Sequence, residues 1–219
     1  VAVIGGGVIG AFVLRNLARY KLEAVMLEKE SDVCMGQSKA NSGIVHAGFD
    51  AAEGSLKAKF NVEGAAMMPA IACELGVKYK NNGSLVVAFT AEDLKTLEIL
   101  KKRGETNGVD RLEIISAEEL KKLEPNVSDD AKGALFARGG GIICPYELTI
   151  AAIGNAMDNG AKLIRNFEVV KIYRNDEDNC YELYSKDGNE VMAKTIVNCA
   201  GLGSGKIAAL AGDDIPVHG

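Results

Sequence analysis

Tryptophan is absent from the 219 residues, and aromatic residues as a whole make up only 5%. A base-stacking platform for nucleic acid needs more rings than that. Basic charge is not in excess either: 25 Lys and Arg stand against 30 Asp and Glu, a formal net charge of −5. That balance argues against a nucleic-acid partner, which would draw a basic face. The five cysteines (Cys34, Cys73, Cys144, Cys180, Cys199) include no C-x-x-C pair, and their number is odd. Neither a disulfide framework nor a zinc site is expected, so the thiols read as reduced and no metal is assigned. No apolar run approaches the length of a membrane span, and no secretory leader precedes the first strand, although the chain begins at Val1 without Met. The expectation is a chain without a transmembrane segment, placed in the cytoplasm or peripherally at the inner membrane surface. Only two histidines occur, His46 and His218.

What is present is ordinary for a globular domain: 47% apolar and 25% charged residues. "VAVI" (1–4), "AVML" (24–27) and "TIVNCA" (195–200) are short runs apolar on both faces, as in a parallel sheet covered by helices. Between the first two, Ala11, Leu14, Leu17 and Ala18 recur at helical spacing, which makes a βαβ unit. A helix is expected over 55–75, with Leu56, Phe60, Gly64, Met67, Met68, Ile71 and Leu75 as its apolar stripe; Met67 and Met68 read as core. The pattern then changes. Short strands broken by Asn-Asn-Gly, a helix over 90–106 capped by Thr90, and a short helix opened by the Ser116/Glu119 capping box form a separate mixed patch over 77–144. From 146 the first pattern returns, with a helix and then three strand-like segments (167–174, 180–186, 190–197). Asp187-Gly188 is a hairpin turn between the last two. They form an antiparallel meander leading into "TIVNCA".

"GGGVIG" (5–10) follows the first strand and opens the first helix. Gly5, Gly7 and Gly10 fit G-x-G-x-x-G: a tight turn, close backbone approach to a pyrophosphate, and close helix–strand packing. The helix N-terminus then offers free N–H groups and the positive dipole end to phosphate. Eighteen residues beyond Gly10, at the end of the second strand, stands Glu28, where a carboxylate accepts bonds from a ribose diol. With strand, helix and acid all in place, the loop points to an ADP-containing dinucleotide, FAD or NAD. Glu28 disfavours NADP, whose 2′-phosphate it would repel.

Simple NAD domains continue with another βαβ step. This chain instead enters "MGQSKANSGIVHAGFD" (35–50), rich in small and polar residues around His46. Ser38, Asn41, Ser42 and Gly43 supply hydroxyl, amide and bare-backbone donors for an extended cofactor. His46 then falls at its far, reactive end.

At "VAVIGGGVIG", "LEKE", "SKANSGIVHAGFD", "SLKAKFNVEGA", "GSLVVAF", "GGGIICPYEL" and "TIVNCAGLGS" the sequence resembles the FAD-dependent oxidoreductases of the D-amino-acid oxidase group. Within that group it is most similar to the branch of glycerol-3-phosphate dehydrogenases and L-2-hydroxyglutarate dehydrogenases or oxidases. The resemblance spans essentially the whole chain. It implies an α/β fold: a Rossmann-like FAD-binding domain with an antiparallel meander, interrupted by part of an α+β substrate domain. Residues 1–76 and 145–219 would be the FAD-binding segments and 77–144 the substrate part. By the same resemblance Gly5, Gly7 and Gly10 hold the pyrophosphate, and Glu28 with Lys29 the adenosine ribose side. Ser38, Asn41, Ser42 and Gly43 follow the dinucleotide toward the flavin, Val169 meets adenine through backbone, and Ala200 and Gly201 close the far side. His46 falls where the family places a histidine by the flavin ring.

Members of the family are longer, so the sequence is expected to be the N-terminal part of an enzyme. Gly205 stands where relatives often carry an acidic residue. The implied reaction is oxidation of a CH–OH group in a small anionic substrate, glycerol 3-phosphate or a 2-hydroxy acid, by hydride transfer to flavin. His46 would be the base, since an imidazole titrates near neutral pH. A redox partner protein or a quinone would take the electrons. An amino-acid oxidase, a non-catalytic FAD-binding module and an NAD-dependent domain are the alternatives. Lys57 and Lys59 could draw an anion, but read more simply as a solvated helix face. Cys199 reads as a packed thiol rather than a redox one.

Overall fold

The computed structural model describes residues 1–217. The chain opens with β1 (Ala2–Ile4), α1 (Val8–Leu17) and β2 (Val25–Leu27), then β3 (Ile44–Val45), α2 (Leu56–Glu74) and β4 (Tyr79–Lys80). It continues through β5 (Ser84–Ala88), α3 (Ala91–Thr106), β6 (Leu112–Ser116), α4 (Ala117–Leu123), β7 (Gly133–Ala137) and β8 (Gly141–Ile143). The last part holds α5 (Pro145–Asp158), β9 (Lys162–Ile164), β10 (Val169–Asn175), β11 (Cys180–Ser185), β12 (Glu190–Ala193) and β13 (Ile196–Asn198). A 3₁₀ turn at Gly201–Gly203 leads into α6 (Ser204–Leu210). Two compact units result, Val1–Ser42 with Pro145–Gly219, and Gly43–Cys144.

In the first unit the apolar runs become neighbours. The sheet order is β13-β1-β2-β9, all parallel, with Ile4 opposite both Leu27 and Asn198. Ala2, Val3, Met26 and Leu27 are almost fully buried, as strands covered on both faces require. One core joins Ala2, Ile4 and Leu27 of this sheet to Val169, Ile172, Leu183 and Ala193 of the meander β10-β11-β12. Leu183 is fully buried; truncating such a leucine to alanine costs about 2–5 kcal/mol. Helix α1 packs on α5, where Arg15 Nε donates to Asn155 Oδ1 at 3.1 Å. The expected hairpin forms at Asp187-Gly188, with Gly188 at φ +82° and its N–H bonded to the Ser185 carbonyl at 3.0 Å. One expectation is corrected. Among the described residues β13 pairs with β1 alone, and where "TIVNCA" was expected to be covered on both faces, Ile196 and Val197 are half-buried and Asn198 is exposed.

The second unit contains two three-stranded antiparallel sheets, β3-β8-β4 and β5-β7-β6. Helix α3 starts on a reciprocal capping box in which Thr90 accepts from the Asp93 N–H and Asp93 accepts from the Thr90 N–H. Ser116 and Glu119 do the same for α4. Helix α2 forms as expected, but on a different face. Leu56, Phe60 and Met67 are 70%, 58% and 56% exposed, so Met67 is not core, and Met68 is only half-buried. The inward face runs through Ala58, Val62, Ala65 and Ala72, of which Ala58 and Ala72 are buried and the other two half-buried. Both stripes fit a 3.6-residue period. Apolar residues ring this helix nearly all round, so periodicity does not choose between them, and the small side chains let the helix lie closest.

Candidate functional site

The loop after β1 is shaped by what its glycines omit. Gly5 sits at φ +110°, in the left-handed region, with the backbone of Cys199 and Ala200 where a Cβ would be. At Gly10 a Cβ would overlap the Gly5 carbonyl oxygen. Both positions therefore exclude side chains. Gly7 is the N-cap of α1 in an extended conformation, and no side chain of its own caps the helix. Instead Ser38, thirty residues away, turns its Oγ to accept from the Val8 N–H at 2.9 Å. The Ala11 N–H bonds the Gly7 carbonyl at 2.9 Å. The first-turn amides of Ile9 and Gly10 are left with no intrahelical acceptor, as at any helix start, and they point to where an anion would sit.

Glu28 ends β2 and is only 7% exposed. Its Oε2 accepts from the Gly6 N–H at 2.6 Å, and its Oε1 from the Glu30 N–H at 2.9 Å. Each carboxylate oxygen carries a second lone pair, so the group is both a strut for the glycine loop and a free acceptor. The Glu28 carbonyl takes the Phe167 N–H at 2.8 Å, which brings the start of β10, with buried Val169, to the same strand end. Ala200 is half-buried, its N–H bonded to Asn198 Oδ1 at 3.2 Å, and Gly201 begins the 3₁₀ turn at φ +57°. Gly5, Gly7, Gly10, Glu28, Ser38, Val169, Ala200 and Gly201 thus all lie around the carboxyl ends of parallel strands, the place where open α/β sheets bind nucleotides.

Lys29 is exposed and pairs with Glu30 at 3.3 Å. Asn41 turns its amide inward on its own loop, donating to the Gln37 and Ser38 carbonyls at 3.0 and 3.1 Å, while Ser42 is exposed. Gly43 opens the second unit at φ +67°, buried, its carbonyl accepting from the Ile143 N–H at 2.9 Å. His46 also belongs to that unit. Its side chain is exposed, and its backbone carbonyl accepts from Asn61 Nδ2 at 2.8 Å. Lys57 and Lys59 are exposed, Lys59 lying 4.0 Å from Glu63. Sequence reasoning passed over Gly6 and Cys34. Gly6 donates to Glu28, and its carbonyl accepts from the Cys34 N–H at 2.8 Å. Cys34 is buried at φ +61°; nothing in its neighbours' residue types signals that turn. None of the five cysteines is in a disulfide among the described residues, and burial pushes the Cys199 thiol pKa up. Among the described residues there is no group of three or more candidate metal ligands, and no helix is long and apolar enough to cross a membrane.

The parallel sheet, the glycine loop under α1 and the carboxylate closing β2 define a dinucleotide-binding α/β protein. The FAD dependent oxidoreductase family (DAO) matches residues 1–219, and the chain belongs to it. Its cofactor is accordingly FAD, which sets aside the nicotinamide alternative. A glycerol 3-phosphate dehydrogenase of Caloramator mitchellensis is 46% identical over 208 residues, 94% of this chain and 42% of the relative. A mitochondrial L-2-hydroxyglutarate dehydrogenase of Pongo abelii is 32% identical over 228 residues, 97% of this chain and 53% of the relative. Among solved structures, the FAD-bound, dithionite-reduced L-α-glycerophosphate oxidase of Mycoplasma pneumoniae superposes with a TM-score of 0.90 at 30% identity, over 95% of this chain and 56% of that one. The chain spans about half the length of the relatives it matches.

The residues present fit FAD. A cradle closed to side chains lies under a ten-residue helix, its open amides suit a pyrophosphate, and a buried carboxylate with spare lone pairs suits the ribose.

Proposed function

We propose that this chain is the FAD-holding part of an enzyme that oxidises a secondary alcohol in a small anionic substrate, with glycerol 3-phosphate as first choice and L-2-hydroxyglutarate as second. What supports the reading is one convergence: the Gly5–Gly10 loop braced by buried Glu28, in a chain 46% identical to a glycerol 3-phosphate dehydrogenase. In this reading residues 1–76 and 145–219 surround FAD, and 77–144 contribute to the substrate side. Ile9 and Gly10 amides take the pyrophosphate, and Glu28 the ribose diol, with exposed Lys29 alongside. Ser38, Asn41, Ser42 and Gly43 border the path toward the flavin, Val169 offers backbone to adenine, and Ala200 and Gly201 close the opposite side.

Bound flavin supplies the hydride acceptor. The chain's own task is to fix geometry and move one proton. His46 takes the hydroxyl proton at its imidazole while the C–H bond breaks, so that charge never accumulates on the substrate oxygen. The electrons leave to a redox partner protein or quinone, and the enzyme works in the cytoplasm or at the inner membrane surface.

The test is steady-state oxidation of glycerol 3-phosphate and of L-2-hydroxyglutarate by the full-length protein with an artificial electron acceptor. Turnover of at least one is expected, and His46→Ala should lower kcat on the order of 10²–10⁴-fold, the usual contribution of a general base. Unchanged turnover in His46→Ala would remove the histidine from the chemistry.

A further inference from the structure

The segment from His46 to Ala51 has little bulk with which to hold itself. Ala47, Phe49 and Ala51 are buried, but only Phe49 is large, and it seats against α3 because Gly104 has no side chain there. Ala47, with Val62 and Val109, lines one wall of a half-open cleft of about 410 Å³ in the second unit. Packing alone therefore leaves space beneath the segment.

Hydrogen bonds supply the rest, and they come from side chains. Asn61 Nδ2, on α2, donates to the His46 carbonyl at 2.8 Å. Asn107 Nδ2, at the C-cap of α3, donates to the Gly48 and Ala51 carbonyls at 3.0 and 2.9 Å. Arg103 Nη1 reaches the Asp50 carbonyl at 3.3 Å. Four of the six backbone acceptors from 46 to 51 are thus tied to two helices. Gly48 completes the fit: it stands at φ +107°, and a Cβ there would come within 2.7 Å of Val62, the residue after Asn61. An amide suits the role because its nitrogen carries two donors and no charge. A carboxylate of the same shape would set an oxygen against each carbonyl.

We propose that Asn61 and Asn107 are positioning residues, holding the backbone on either side of His46 so that its imidazole stays at the height and angle that proton transfer needs. This rests on the assignment of His46 as base. Neither asparagine has to touch substrate or flavin. Displacing a reacting group by about 1 Å costs on the order of 10²-fold in rate, so loss of the His46 tether should be read in kcat rather than in KM.

The experiment uses full-length protein, with Asn61→Asp as the isosteric variant lacking the donor and Asn61→Ala as a variant that favours the helix, so that one folded form is in hand. Asn107→Asp is made in parallel, and His46→Ala serves as the reference. Two readouts are taken: kcat and KM for glycerol 3-phosphate, and the imidazole ¹H–¹³C cross-peak of His46, identified by its loss in His46→Ala. Support requires that the cross-peak shift or broaden in the asparagine variants, with kcat down about tenfold to 10²-fold and KM within a few-fold of the parent. Variants that keep both cross-peak and kcat overturn the proposal, and if His46→Ala is inactive in the same series the base assignment stands. A displaced cross-peak with unchanged kcat also overturns it; if His46→Ala is then active as well, the failure belongs to the base assignment. Lost kcat with an unmoved cross-peak overturns it too, because the asparagines would then act by another route.

Discussion

Cys199 lies one residue before Ala200, with its side chain packed near Gly10, and burial raises its thiol pKa above the ordinary value. The direction matters because the thiolate is the reactive form. Near neutral pH Cys199 should stay protonated, while Cys73 and Cys144 are exposed. Iodoacetamide labelling followed by peptide mass mapping should modify Cys73 and Cys144 well before Cys199. Equal rates at the three positions would show that Cys199 is neither as buried nor as inert as the structure has it. At this scale the sequence was informative wherever residue type alone carries the constraint. Gly5, Gly10 and Glu28 are such cases, because a turn without a Cβ and a carboxylate at a strand end have few substitutes. It was silent on Ser38 as a cap for α1, since the Val8 N–H it satisfies lies thirty residues back and only the fold brings them together. For the same reason the Asn61 and Asn107 tethers to 46–51 could not be read from spacing.

Helix α3 shows how local chemistry sets an element. Phe89 and Thr90 N–H groups donate to the Asp93 carboxylate, which holds its pKa below the ordinary carboxylate value. A lowered folded-state pKa means that this contribution is complete above the unfolded value and is lost as pH falls through the folded one. Thr90→Ala should destabilise the protein by about 1 kcal/mol at neutral pH, measured as a lower urea midpoint with unchanged slope. An unchanged midpoint would mean that the helix start is held by tertiary packing instead. The Thr90 cap, the Ser116/Glu119 capping box, the βαβ opening and the Asp187-Gly188 hairpin were legible because each is a short-range pattern, whereas the return bond from Asp93 to the Thr90 N–H emerged only in the structure. Helix α2 was legible as a helix but not as to face: its large apolar stripe, Leu56, Phe60 and Met67, is exposed, and the small-residue stripe from Ala58 to Ala72 turns inward. Strand β13 is less covered among the described residues than its apolar run suggests, since such a run reports hydrophobicity and not whether a neighbour lies on each side.

For the whole molecule, the family shared over residues 1–219 and the TM-score of 0.90 to an FAD-bound oxidase agree with what the first unit offers a nucleotide. The relatives are about twice as long as this chain, and the claim that it serves an alcohol oxidation concerns the full-length protein. That claim depends on one arrangement, FAD lying along the glycine loop with its flavin end toward His46. A crystal structure of the full-length protein with FAD bound tests it most directly. The expected result has the pyrophosphate against the amides of Ile9 and Gly10, Glu28 bonded to the adenosine ribose, and the His46 imidazole facing the flavin ring. A cofactor seated elsewhere, or a His46 ring turned away from the flavin, would contradict the account.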